Sequence, residues 1–289
     1  MALEDLPPQA PLRLPEGQAY GERVLARSRS ALSSHPSLLD QAFGPDYYQK
    51  LDVFFPERPP AGGAPILVFA HGGSWIAGYK EWMAFMAPAV TALPAVFVSV
   101  SYRLAPGAKH PAPYEDCLAA IAWVHDNARS LRGDRSRLYV GGHSAGAHLM
   151  ALAATRPDDL SSRGLPPDVI KGCAAVSGAF DLRLSDPPEP VQSHAHQVLL
   201  ADPAQAEAAS PIANVSPATR PFLITVGETD FPDLREQAVR MADRLRAAAV
   251  PVVFQDLPGH DHFATNERSV EAGHPWLTEL ARMIGTPAR

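Results

Sequence analysis

Gly142-His143-Ser144-Ala145-Gly146 places one serine between glycines two residues away on either side. A serine hydroxyl becomes an acyl-transfer nucleophile when a sharp turn lifts it clear of the backbone and a base takes its proton. Leu138 to Val140, just before it, is a short apolar run of strand-forming residues. Ala147 to Ala154, just after it, is rich in Ala, Leu and Met, which favour helix. Strand, tight turn and helix are the context of a nucleophile elbow. A Cβ at position 142 or 146 would collide with neighbouring backbone there, which accounts for both glycines. The free amides of the first helical turn favour developing negative charge. The plain alternative is a glycine-rich turn carrying a solvated serine.

Such a nucleophile needs a base, an acid that orients the base, and donors for an oxyanion. The expected chain order is serine, acid, histidine. Each belongs on a loop at the C-terminal end of a strand. Phe222 to Val226 reads as a strand and runs into Gly227-Glu-Thr-Asp230. Asp230 is the preferred acid, Glu228 and Asp233 are rivals, and an N-cap role for Asp230 is the structural alternative. Val252 to Asp256 reads as the next strand and is followed by Pro258-Gly-His-Asp-His-Phe263. Either His260 or His262 would be the base, with the other lining a pocket or exposed. A metal at this His-Asp-His lacks a third ligand at helical spacing. Oxyanion donors are expected from the Ala145 amide and from His71-Gly-Gly-Ser-Trp75, whose glycines let amides face the site. Gly73 and Ser74 are assigned, with Gly72 as a further candidate. Trp75, His143 and His148 are candidates for the pocket wall. His71 reads as structural, and His194 and His196 as exposed.

These loops need a sheet behind them. Ile66 to Ala70 is a continuous apolar run, the signature of a strand buried on both faces, and Ala95 to Ser101 reads as the next buried strand. Tyr47 to Phe55 and Ile170 to Val176 add two more strands. Helical spacing covers Glu81 to Leu93, Tyr114 to Leu131, Leu234 to Ala249 and Trp276 to Ile284. Tyr20 to Leu32 reads as a helix that caps the site. Strands alternating with helices predict a mostly parallel sheet covered on both faces. Residues 1–19 are proline-rich and read as an extended or mobile arm. Residues 20–289 read as a single domain, with 180–218 as a lid or cap insertion over the sheet edge.

With 289 residues and 46% hydrophobic content, the chain has enough apolar material for one large α/β core. A net charge of -6 with interspersed signs offers no basic stripe for nucleic acid and no polybasic segment for a membrane surface. No stretch is long and apolar enough to span a bilayer, and the N-terminal residues have no signal-peptide pattern, so a cytoplasmic location is expected. Cys117 and Cys173 fall in apolar elements and read as buried free thiols.

Together these motifs resemble the α/β-hydrolase fold, and within it hormone-sensitive-lipase-like esterases and arylformamidases (kynurenine formamidases). Tyr102-Arg-Leu-Ala-Pro106 and Pro111-Ala-Pro-Tyr-Glu-Asp116 look like both. His71-Gly-Gly-Ser-Trp75, Tyr48-Gln-Lys-Leu-Asp-Val-Phe-Phe-Pro56 and Gly227-Glu-Thr-Asp230 are closer to the arylformamidases. In that family the catalytic histidine directly precedes Phe, so the resemblance implies His262 as the base. It further implies a cofactor-independent serine hydrolase with a small ester or formamide substrate and an acyl-enzyme intermediate. A general short-chain carboxylesterase and a non-catalytic binding protein of the same fold are the alternatives. A homodimer is compatible with this reading.

Overall fold

The computed structural model describes residues 3–12 and 14–285. Eight strands form one sheet in the order β1-β2-β4-β3-β5-β6-β7-β8. They are β1 (Ser37–Ala42), β2 (Lys50–Phe54), β3 (Ala64–Ala70), β4 (Val96–Val100), β5 (Gly133–His143), β6 (Ile170–Val176), β7 (Phe222–Gly227) and β8 (Val252–Leu257). The six strands from β4 to β8 in this order are parallel, whereas β1 and β2 pair antiparallel at one edge.

Both faces of the sheet are apolar because alternate side chains enter different cores. In β3, Ile66, Val68 and Ala70 join one core while Leu67 and Phe69 join the other. In β4, Val96 and Val98 go one way and Phe97 the other. The first core is completed by α3 (Ala112–Asn127), α4 (Ala145–Thr155) and α7 (Pro232–Ala247). The second is completed by α1 (Pro15–Ser34), the 3₁₀ helix Lys80–Met86, α2 (Ala87–Thr91) and α9 (Pro275–Met283). The continuous apolar runs read from the sequence are therefore the central strands of a doubly covered sheet. Cys117 and Cys173 are free and buried. Among the described residues no helix is long and apolar enough to cross a membrane.

Several elements differ from expectation. Glu81 to Leu93 is not one helix. It is a 3₁₀ segment ending at Met86, then the short α2 with Pro88 in its first turn. Lys80 is drawn inward there, bonded to Asp52, Asp40 and Glu81, which ties this segment to the antiparallel edge. Strand β1 carries no mark in the sequence, because its side chains are half-buried or exposed and show no clean alternation. Helix α1 begins at Pro15 rather than Tyr20, with the proline at N1, where its missing N–H costs nothing. The described residues before it are fastened down. Gln9 donates through Nε2 to the Gly78 carbonyl at 2.8 Å and accepts from the Gly78 amide at 2.7 Å. The short α5 (Pro157–Ser161) follows α4, α6 (Pro190–Val198) and two 3₁₀ turns, Pro203–Gln205 and Pro211–Asn214, lie between β6 and β7, and the short α8 (Ala264–Glu267) precedes α9.

Three histidines inside this frame are held neutral. Burial pushes His71 and His148 down to about 4, against the raising effect of their backbone hydrogen bonds. Burial, then the nearby His262, pushes His143 down to about 3. An unfolded histidine titrates near 6.5. Between pH 6.5 and these lower values the unfolded chain binds protons that the folded chain refuses. Stability is therefore fully present above pH 6.5 and falls on acidification, by up to roughly 1.4 kcal/mol per pH unit for each histidine. Urea midpoints measured from pH 7.5 to 4.5 should drop steeply below 6.5, and an unchanged midpoint at pH 5 would contradict this burial.

Candidate active site

The elbow follows from its glycines. Strand β5 ends at His143, Ser144 adopts φ 53° and ψ −118°, and α4 starts at Ala145. A Cβ on Gly142 would lie 2.4 Å from the Gly146 carbonyl carbon. One on Gly146 would lie 2.3 Å from the Ala70 oxygen and 2.4 Å from the His71 oxygen. Contacts that close are excluded, so α4 crosses β3 and β5 only with glycine at both positions. The Ser144 amide donates to the Val176 carbonyl at 2.9 Å, and its carbonyl accepts from the His148 amide at 3.0 Å. The backbone strain at Ser144 is thus held from both sides.

Ser144 Oγ lies 2.9 Å from His262 Nε2, and His262 Nδ1 lies 2.8 Å from Asp230 Oδ1. With the carboxylate accepting at Nδ1, Nε2 is free to accept the serine hydroxyl. Asp230 also accepts from the Phe231 amide at 2.7 Å and, through Oδ2, from the Ser177 hydroxyl at 2.5 Å. Burial alone would raise this carboxyl. The His262 charge, its hydrogen bond and these two donors outweigh burial and hold the group below the ordinary carboxylate range. The Phe231 ring packs against His262 at 4.6 Å, tilted by 37°. Ser177 was not singled out in the sequence. It has φ 51° at the end of β6, and only the β6–β7 pairing brings it to Asp230.

The other expected residues divide sharply. His260 turns away: Nδ1 donates to the Pro258 carbonyl at 2.8 Å and Nε2 faces His274 at 3.4 Å. It does not line the cavity, because the loop after β8 sends the two histidines in different directions. Nor does His148, which is wholly buried between the Trp75 indole N–H at 3.2 Å and the Ala209 carbonyl at 2.8 Å. Gly72 stands behind the wall, its Cα facing His143 and Ser144. Glu228 accepts from the Gly259 amide, and Asp233 from the Val191 amide, so neither rival acid bonds His262. His71 stacks on Tyr102 at 4.3 Å, inside the loop. His196 donates to the Leu182 carbonyl. His194, expected to be exposed, instead stacks on Trp75 and donates to the Ser74 carbonyl at 3.3 Å.

Gly73, Ser74 and Ala145 all border the cavity that holds Ser144. Gly73, Ser74 and Trp75 have φ of 121°, 54° and 63°. This left-handed run forms a concave backbone suited to an anion. Among the described residues, the Gly73 and Ser74 amides donate to no protein acceptor. The cavity measures about 360 Å³ and is mostly apolar. Leu12, Tyr20 and Trp82 close one side, and Val191, Phe231 and Leu234 another.

A hydrogen-bonded serine–histidine–aspartate chain at the C-terminal edge of a parallel sheet, beside open backbone amides, defines a serine hydrolase. A model of the α/β-hydrolase fold matches residues 67–266, and the chain belongs to that family. The chain is 28% identical to a kynurenine formamidase of Danio rerio, over 93% of this chain and 89% of that one. It is 31% identical to the esterase LipC of Mycobacterium tuberculosis, over 76% of this chain and 58% of that one. In structure it is similar to an esterase of the archaeon Pyrobaculum calidifontis, with a TM-score of 0.75, 26% identity and coverage of 92% and 91%.

Proposed function

We infer that the chain hydrolyses small acyl esters and aryl formamides through an acyl-enzyme on Ser144. The observation that carries this reading is the unbroken relay from Ser144 Oγ through His262 to Asp230, at 2.9 and 2.8 Å, opening into an apolar cavity. His262 Nε2 takes the Ser144 proton as Oγ attacks the substrate carbonyl. The oxyanion is received by the amides of Gly73, Ser74 and Ala145. Collapse of the tetrahedral species breaks the bond to the alcohol or aniline, which leaves with the proton from His262. Water then attacks the acyl carbonyl, giving its proton to His262, and Ser144 is released with the acid. Asp230 stays ionised throughout and stabilises the imidazolium.

The cavity supports both substrate classes named among the relatives. Its aromatic and aliphatic walls suit an aryl leaving group, and its volume exceeds what a formyl group needs. The segment carrying α6 acts as a lid, with Pro190, Val191 and His194 facing the substrate. The deciding measurement is kcat/KM for formanilide and N-formylkynurenine beside p-nitrophenyl acetate and butyrate. We expect turnover of the acetate and of at least one formamide. A hundredfold margin, about 2.7 kcal/mol of differential transition-state binding, assigns the natural class. No turnover of any substrate, with no labelling by a fluorophosphonate, would overturn the reading in favour of a binding protein.

A further inference from the structure

The Ser144–His262 step of the relay joins two separate pieces of chain: Ser144 belongs to the elbow between β5 and α4, and His262 to the loop after β8. A direct clamp joins them behind the reacting atoms. His143 Nε2 donates to the His262 carbonyl at 2.9 Å, and the Thr265 hydroxyl donates to the same oxygen at 2.7 Å. The His143 and His262 rings lie 4.9 Å apart. His143 is 1% exposed, and its other face meets Tyr20 of α1 at a ring distance of 5.4 Å. Tyr20 donates to Asn266 Oδ1 at 2.6 Å, with its oxygen 3.4 Å from His143 Nδ1. The hydroxyl proton is thus committed to Asn266. His143 Nε2 must carry its proton because a carbonyl can only accept, so Nδ1 holds a lone pair.

We propose that His143 is a positioning residue for the relay, a neutral clamp whose Nε2–H fixes the backbone of His262 relative to the elbow. This rests on the proposed catalytic roles of Ser144 and His262. Fixing the His262 carbonyl fixes the direction of its Cα–Cβ bond, and with it whether Nε2 meets Ser144 Oγ while Nδ1 meets Asp230. A misplacement of about 1 Å in such a relay costs roughly a hundredfold in rate. The clamp also has to stay uncharged. A second imidazolium there would repel the one that forms on His262 in each half-reaction. Burial, then the His262 charge, opposes protonation of His143, whereas Asp230 favours it and is outweighed. Tyr20, pushed far above its ordinary range by burial, also stays neutral. His143 therefore serves both as the bracket on the relay and as a filler that never competes for its proton.

The geometry separates this role from mere packing. A glutamine side chain places its amide nitrogen close to the position of His Nε2, whereas an asparagine reaches only to that of Nδ1. We expect His143→Leu and His143→Asn to lower kcat by about ten- to a hundredfold, with KM changed less than threefold. His143→Gln should restore kcat to within about fivefold of the parent. Rates are normalised to folded sites by circular dichroism and active-site titration with a fluorophosphonate. If all three variants lose thermal stability but keep the parental kcat per titrated site, the clamp is only structural and the proposal fails. It also fails if Gln is no better than Asn. Should the parent itself not be labelled at Ser144, the catalytic reading falls first and the clamp with it.

Discussion

Ser144→Ala should fold as the parent does and hydrolyse its best ester roughly 10⁴- to 10⁶-fold more slowly, in line with the loss of a nucleophile from a coupled relay. The fold should survive because removing Oγ leaves the elbow intact. The strained backbone of Ser144 is held by its own amide on Val176 and its carbonyl on His148, neither of which involves the side chain. Alanine at φ 53° is as strained as serine, so little stability is lost. Substrate binding should be nearly unchanged, since the apolar walls and the amides of Gly73 and Ser74 are untouched. Stopped-flow release of p-nitrophenol will show a burst in the parent and none in the variant. A retained burst would show that another residue is acylated.

The second large effect is expected of Asp230→Asn, with a fall of roughly 10²- to 10⁴-fold in kcat, the range for weakened general-base assistance. The neighbours dictate which way the amide faces. The Phe231 amide requires an acceptor at the Oδ1 position, and so does the His262 Nδ1–H. The asparagine oxygen therefore takes that place, and its NH₂ turns to Ser177, whose oxygen can accept. Geometry and tautomer are kept, but the charge that stabilises imidazolium is gone. Most of the loss should appear in kcat, with KM and melting temperature close to the parent. Asp233→Asn is the matched control, because Asp233 bonds the Val191 amide and not His262. A loss below tenfold at position 230, or an equal loss at 233, would remove Asp230 from the proposed relay.

The parts of the site legible in the sequence are those whose constraint is local. Gly142 is dictated by backbone within one turn, and the loops bearing Asp230 and His262 each follow directly from an apolar strand; Gly146 is dictated instead by the Ala70 and His71 carbonyls at the end of β3. The central strands announced themselves because they are buried on both faces. Residues joined only by tertiary structure left no such mark. Ser177 meets Asp230 across two strands, and Tyr20 meets Asn266 from the far end of the chain. His194 reads as a polar lid residue because its partner, Trp75, lies on the distant loop after β3. The choice between His260 and His262 needed either the family resemblance or the geometry, since nothing in Pro258-Gly-His-Asp-His-Phe263 says which ring turns inward. The edge strand β1 and the 3₁₀ run after Tyr79 were missed because neither carries a clean period.

The cavity wall built by the N-terminal stretch has an evolutionary consequence. Leu12, Leu14, Gly17 and Tyr20 meet the substrate space, yet every group proposed to make or break bonds lies beyond residue 70. Part of the cavity's shape is therefore written on a stretch of the gene that carries none of the reacting groups. Changes at Leu12 or Leu14 can reshape that wall while the proposed machinery stays constant.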